Sequence, residues 1–204
     1  DKHISVLYFK FAIFSGILGI LLSIYLRFSE VIAFNNFLKC TNYAFYEIVF
    51  CGCTVILAFF FCMSVLLGGF GIRYVPVLLG RSRTYFPKIN YISYILLILS
   101  FSMFILSLGF AIFSQNDLVI NLSYLKVYIV DFLIWSLYLF GMSYFLLSIN
   151  LILTIGKGLK RIIPPLFVQT MMVTSILMLC FIPLLIGIVT KTLLVSQLNF
   201  MNFN

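Results

Sequence analysis

From Ile4 to Leu26 the chain runs 23 residues with a single charge, Lys10. At ~1.5 Å per residue such a run makes a helix of about 34 Å, enough to cross a hydrocarbon core of ~30 Å. Four more apolar runs follow, at about 44–79, 91–113, 127–155 and 166–194. Inside a bilayer the backbone must satisfy its own hydrogen bonds, so runs of this length fold as helices. The expectation is an all-α, polytopic membrane protein. Five transmembrane helices would form one membrane domain over residues 1–204. Composition agrees: 64% of residues are apolar and 9% charged, against roughly 45–50% and 25% in globular domains. A water-soluble fold could not cover that much apolar surface.

The formal net charge is +8. The cations stand in short clusters between apolar runs, which reads as a topology signal and not as a nucleic-acid surface. With five spans, Lys2, Lys10, Arg73, Arg81, Arg83, Lys88, Lys157, Lys160 and Arg161 fall on one side, and Arg27, Lys39, Lys126 and Lys191 on the other. Nine against four places the N-terminus on the cytoplasm-equivalent face.

Finer features sit on these spans. Ser15, Gly16, Gly19 and Ser23 recur at helical spacing, a small-residue stripe that lets a second helix approach closely. Lys10 can snorkel to the interface. Glu47 lies near the start of the second span, which breaks at a glycine pair. Pro76 and Pro87 punctuate the basic loop after it. Pro183 is expected to kink the fifth span. The Asn121-Leu122-Ser123 sequon is a short pattern of low specificity. No internal repeat of the transporter kind is visible. The first residue is Asp1, so the chain is expected to be processed or trimmed. No cleavable signal stands before the first span.

Five cysteines occur, mostly within apolar runs, and no disulfide framework is readable. Cys51 and Cys53 lie about 200° apart around a helix, and Cys51 and Cys62 share a face ~16 Å apart, so neither pair clamps one metal. Phe occurs 24 times and Tyr 12, with little Ala. That bias, with Ile, Asn and Lys, fits the AT-rich codons of an organelle genome.

One stretch carries a family signature. It runs Gly68-Gly69-Phe70-Gly71, Tyr74-Val75-Pro76, Leu79-Gly80, Phe86-Pro87 and Asn90. This set resembles subunit I of the heme–copper oxidases, the cytochrome c oxidase family, in order and without a gap. Leu7-Tyr8-Phe9, Ser15-Gly16, Gly19, Ser23 and Arg27 look like that family's first helix. Val130-Asp131, Ser136-Leu137, Gly141, Ser143, Ile149-Asn150 and Thr154-Ile155 look like its fourth. Pro165-Leu166-Phe167-Val168, Pro183 and Asn199-Phe200 look like its fifth and the loop beyond. Single tokens are weak, but the ordered set covers nearly the whole chain. The resemblance implies a partial subunit I bundle, the first five of the family's twelve helices, in the mitochondrial inner membrane with its N-terminus in the matrix.

The same resemblance shows what has been replaced. The family holds a low-spin heme between two histidines, and the second-helix position falls here on Cys53. The chain's one histidine is His3. A thiolate can ligate heme iron, but the expectation for Cys53 is a small packing residue. The family's proton-uptake aspartate aligns with Arg83, and its neighbouring asparagines with Ile72 and Tyr91. A cation at that mouth repels protons, so the path is expected to be closed. Ser143 persists from the deeper path. Arg27 matches an arginine that contacts the low-spin heme; the alternative is an interfacial anchor. Asp131 matches a family aspartate; alone, an acid in an early helical turn simply favours the helix dipole.

The leading expectation is a subunit I-like structural component of a cytochrome c oxidase assembly. It would bind no cofactor by itself and would pack against other oxidase subunits and lipids. A rival is the N-terminal piece of a split subunit I, which would share heme a with a second chain carrying the remaining helices. A third reading is a small transporter or assembly factor, with Asn150, Thr154 and Gln169 lining a midplane cavity.

Overall fold

A computed structural model describes residues 2–35, 43–113, 122–158, 165–180 and 187. All the regular elements described are helical. They are α1 (Lys2–Asn35), α2 (Tyr43–Val55), a π-helical segment (Ile56–Gly71), α3 (Ile72–Leu78), α4 (Pro87–Phe113) and α5 (Leu122–Gly158), followed by α6 (Leu166–Cys180). Among the described residues, four stretches are long and apolar enough to cross a membrane: Lys2–Phe28, Val49–Leu78, Pro87–Phe110 and Asp131–Gly158. The shorter α6 begins the expected fifth span. The continuation of that span, Pro183 with it, lies outside the described residues, as do Cys40, Lys160, Arg161 and Asn121 of the sequon.

The second span is continuous. Its glycine pair does not break the helix but lies within the π segment, and the chain stays helical through Pro76 in α3. Pro87 opens α4, where its missing N–H is one of the donors a helix leaves unpaired anyway. Only after α3 does the chain turn, at Gly80, whose φ of 69° is left-handed.

The glycines pay out in close packing. A Cβ on Gly68 would lie 2.2 Å from Cδ1 of Tyr8, and one on Gly69 would lie 2.6 Å from Cζ of Phe9. The arrangement is reciprocal further along. Gly16 receives Phe61, and Gly19 receives Leu57, at 2.8 and 2.6 Å from their missing Cβ positions. Each helix therefore offers a bare patch to the other's large side chains, as small-residue interfaces do in membranes. Within the π segment Ile56, Phe60, Ser64 and Gly68 are buried at a four-residue spacing. An α-helix would carry that row off by about 40° at each step. The wider i→i+5 winding carries the same step about 30° the other way, so the row stays within the buried face under either winding.

At the centre sits Phe60, 2% exposed. Its ring lies 5.1 Å from Phe101 of α4 and 5.1 Å from Phe140 of α5, with Phe11 of α1 at 6.5 Å. Three of the other helices thus meet on one ring of the second span, in edge-to-face pairs. Hydroxyls tie α4 to α5 across their shared face. Ser143 donates to the Ser93 carbonyl at 2.6 Å, and Ser100 donates to that of Ser136 at 2.9 Å.

Gly68→Ala is expected to cost about 1–3 kcal/mol, because Tyr8 must leave its seat. Gly109, where a Cβ meets nothing within 4 Å, is the control: Gly109→Ala should be neutral or gain up to about 1 kcal/mol. Thermal melting in detergent distinguishes them, and equal melting of the two variants would mean that α1 does not depend on this seat.

Candidate functional site

Two places on the second span and its loop carry the sequence-predicted residues. The first is Cys53, on α2. Its side chain is 6% exposed and packs with Leu26 and Val49, flanked by Leu22 and Leu57. The thiol donates to the Gly19 carbonyl of α1 at 3.2 Å. Gly19 lacks a side chain to stand in the way, and its missing Cβ position is filled by Leu57. Cys53 therefore sits in a closed seam between α1 and α2, with its one polar hydrogen used.

Arg27 follows Leu26 of that seam directly, yet its own side chain is exposed. Leu26 packs with Cys53, so Arg27 stands one residue along the chain from that seam. Cys51 and Cys62 are exposed while Cys53 is buried. His3 and Asp131 are exposed as well. Among the described residues no three of His, Cys, Asp and Glu converge on a common point.

The second place is the loop between α3 and α4, at the end of α5. Asn150 of α5 is fully buried and binds both backbone groups of Phe86: its Oδ1 accepts from the Phe86 N–H at 3.0 Å, and its Nδ2 donates to the Phe86 carbonyl at 2.9 Å. The same Nδ2 donates to Asn90 Oδ1 at 2.7 Å, and Asn90 donates in turn to Thr84 at 2.9 Å. Thr154 Oγ1 accepts from the Tyr85 N–H at 3.1 Å. Two polar side chains one turn apart on α5 thereby take over the backbone hydrogen bonds of a loop that has no secondary structure of its own.

Charge completes the clamp. Arg81 Nη2 donates to the Lys157 carbonyl at 2.6 Å, capping the end of α5 where carbonyls are left unpaired. Lys157 Nζ stands 3.5 Å above the Tyr85 ring. Interaction with Lys157, foremost a hydrogen bond and then its charge, pulls the Tyr85 hydroxyl below the usual tyrosine range. Arg83 is exposed, Ile72 is buried and Tyr91 is exposed.

Inward from the clamp a chain of direct contacts continues. Ser93 donates to the Asn90 carbonyl at 2.9 Å, and the Tyr8 hydroxyl lies 2.8 Å from Ser93 Oγ. Ser143 joins through the Ser93 carbonyl. Asn150 and Thr154, expected on the transporter reading to line a cavity, instead spend their polar atoms on the loop, and Gln169 is exposed. Sequence reasoning missed the clamp. Its signal was present in two polar residues, Asn150 and Thr154, buried a few positions before Lys157, where a span ordinarily needs none.

The family model described as Cytochrome C and Quinol oxidase polypeptide I matches residues 3–204. The chain is 33% identical over 193 residues to a cytochrome c oxidase subunit 1 of Yarrowia lipolytica, covering 90% of this chain and 36% of that protein. It is 31% identical over 210 residues to that of Plasmodium chabaudi, covering 98% and 44%. With that of Eremothecium gossypii the identity is 30% over 212 residues, covering 97% and 38%. The chain thus spans less than half the length of these curated relatives.

Tyr85 should deprotonate below the ordinary tyrosine value of about 10, and Lys157→Gln should move its titration back up. A lowered folded-state value stabilises the fold only where the phenolate forms. The contribution is complete above the ordinary value and fades as pH falls through the lowered one. Ultraviolet difference titration of the chain against Tyr85→Phe reads this directly. An unchanged titration in Lys157→Gln would remove Lys157 from the account.

Proposed function

The chain belongs to the cytochrome c and quinol oxidase polypeptide I family, as an N-terminal part of subunit I, and from that premise we propose that it is a packing component of a cytochrome c oxidase assembly in the mitochondrial inner membrane. Its N-terminus faces the matrix. The relatives are cytochrome c oxidase subunits 1, and the excess of cations on the N-terminal side supports that orientation. Its partners are other oxidase subunits and the surrounding lipid.

The observation that carries this reading is the bond from the Cys53 thiol to the Gly19 carbonyl. The resemblance puts the second-helix heme ligand at this position. An imidazole there must point out of the helix toward the metal. The thiol here points into the α1 seam and is enclosed by Leu22, Leu26, Val49 and Leu57. A thiolate in that seam would give up its hydrogen bond and stand unpaired in an apolar site. The residues present do not fit heme ligation by this helix, and no redox step is assigned to it.

The proton-uptake mouth supports the same reading. Arg83 stands where the resemblance places an aspartate, and the asparagines that remain, Asn90 and Asn150, are bonded to each other and to the loop backbone. Such a chain holds the loop to α5 and spends both Nδ2 hydrogens of Asn150, which then has no donor to offer a water file.

Affinity purification of the tagged chain from mitochondria tests the proposal. Other oxidase subunits are expected to co-purify, and the reduced-minus-oxidised heme spectrum of the complex should be unmoved by Cys53→Ala. Purification free of oxidase subunits would refute the assembly role. A low-spin heme signal that shifts or vanishes in Cys53→Ala would refute the packing role and favour a split subunit I that shares its heme with a second chain.

A further inference from the structure

The end of the bundle that carries the clamp is strongly cationic. Residues 72–113 and 132–158 contain Arg73, Arg81, Arg83, Lys88 and Lys157 and not one carboxylate. In water these would be dispersed surface charges. Here the loop bearing two of them is fixed: Leu79 packs on Gly158, Thr154 holds the Tyr85 N–H, and Asn150 holds Phe86. Arg81 spends one of its five guanidinium donors on the Lys157 carbonyl. Lys157 lies over the exposed ring of Tyr85. The lowered Tyr85 hydroxyl registers the positive field of both cations, Lys157 first and Arg81 after it.

Beneath the cations runs an apolar stripe. Gly156, Leu153, Met142, Tyr138 and Trp135 are exposed on α5 at three- and four-residue intervals, with half-buried Ile149 and Phe145 between. A Cβ on Gly156 would meet nothing within 4 Å, so the surface beside Lys157 is open. From Gly156 to Phe145 the stripe is ~16 Å long, about the depth of one leaflet.

We propose that Arg81, Arg83, Tyr85 and Lys157 form a site for the phosphate of an anionic phospholipid whose acyl chains lie along the Gly156–Phe145 stripe of α5. Arginine grips phosphate oxygens in a fork, lysine supplies a point charge, and the Tyr85 hydroxyl can donate. The apolar stripe one turn below Lys157 selects a lipid over a soluble phosphate, which would leave it uncovered. The clamp pre-organises the cations, so little ordering is required on binding. The site needs only a bilayer around the bundle and does not depend on the oxidase reading.

The full chain carrying L153W and W135F is reconstituted in phosphatidylcholine vesicles with acyl-brominated phosphatidylglycerol or acyl-brominated phosphatidylcholine. The introduced tryptophan lies beside the proposed chains and is quenched by lipid that dwells there. Brominated phosphatidylglycerol should be preferred, with about a fivefold loss of preference for each cation removed in K157Q and R83Q. K157Q keeps the backbone carbonyl that Arg81 caps, so it separates charge from folding. The native Trp135, about 33 Å along α5 from Lys157, should show no preference in the unmodified sequence. Equal quenching by the two lipids, a preference untouched by K157Q and R83Q, or the same preference at Trp135 would each overturn the site. Abolition by inorganic phosphate at constant ionic strength would overturn the lipid assignment in favour of a soluble anion.

Discussion

The close approach of α1 and the second span is the contact on which the rest of the bundle depends. Between helices in lipid there is little hydrophobic drive, since the lipid tails are as apolar as leucine. What holds is dispersion at short range, and short range requires bare backbone. Gly16 and Gly19 on one helix and Gly68 and Gly69 on the other supply it at both ends of the contact. Once the two are seated, Phe60 is aimed inward, and α4 and α5 close around its ring through Phe101 and Phe140.

Polar chemistry then fixes what dispersion leaves loose. The loop after α3 has no ladder of its own, and near a bilayer its peptide groups cannot be left unpaired without cost. Asn150 and Thr154 satisfy three of them from α5, and Arg81 returns the favour by capping α5. Each half of the clamp meets a need of the other. That mutuality explains why amides and a threonine persist in a span that otherwise selects for apolar residues.

The helical membrane class was legible because length and charge content alone determine it. The small-residue stripe on α1 was legible too, because Gly16 and Gly19 recur at helical spacing. The π segment was not. Patterns read at 100° per residue assume α winding, and Gly68-Gly69 looks like a break when its glycines instead face Tyr8 and Phe9. Pro76 looked like a terminator, yet it lies within α3. Asn150 and Thr154 marked the clamp's place on α5, but its pairing was not legible, because the partners are 60 to 76 residues apart and no local pattern couples them. For Cys53, the family resemblance showed that an imidazole was missing, but only the fold shows which way the thiol turns.

The two departures from the family pattern lie at opposite ends of one span, and the fold accommodates them by different physics. Cys53 is small, apolar and buried, and it lets α1 come close enough for its thiol to reach the Gly19 carbonyl. A larger ring in its place would have to leave that seam. Arg83 is exposed, so its charge is accommodated without disturbing the core. Arg83 stands apart from the glycine seats and the Phe60 ring cluster, and Cys53 meets a seat only through the Gly19 carbonyl. The scaffold therefore tolerates both changes, because the residues that assemble this bundle and the residues that would load it with heme or feed it protons are different residues.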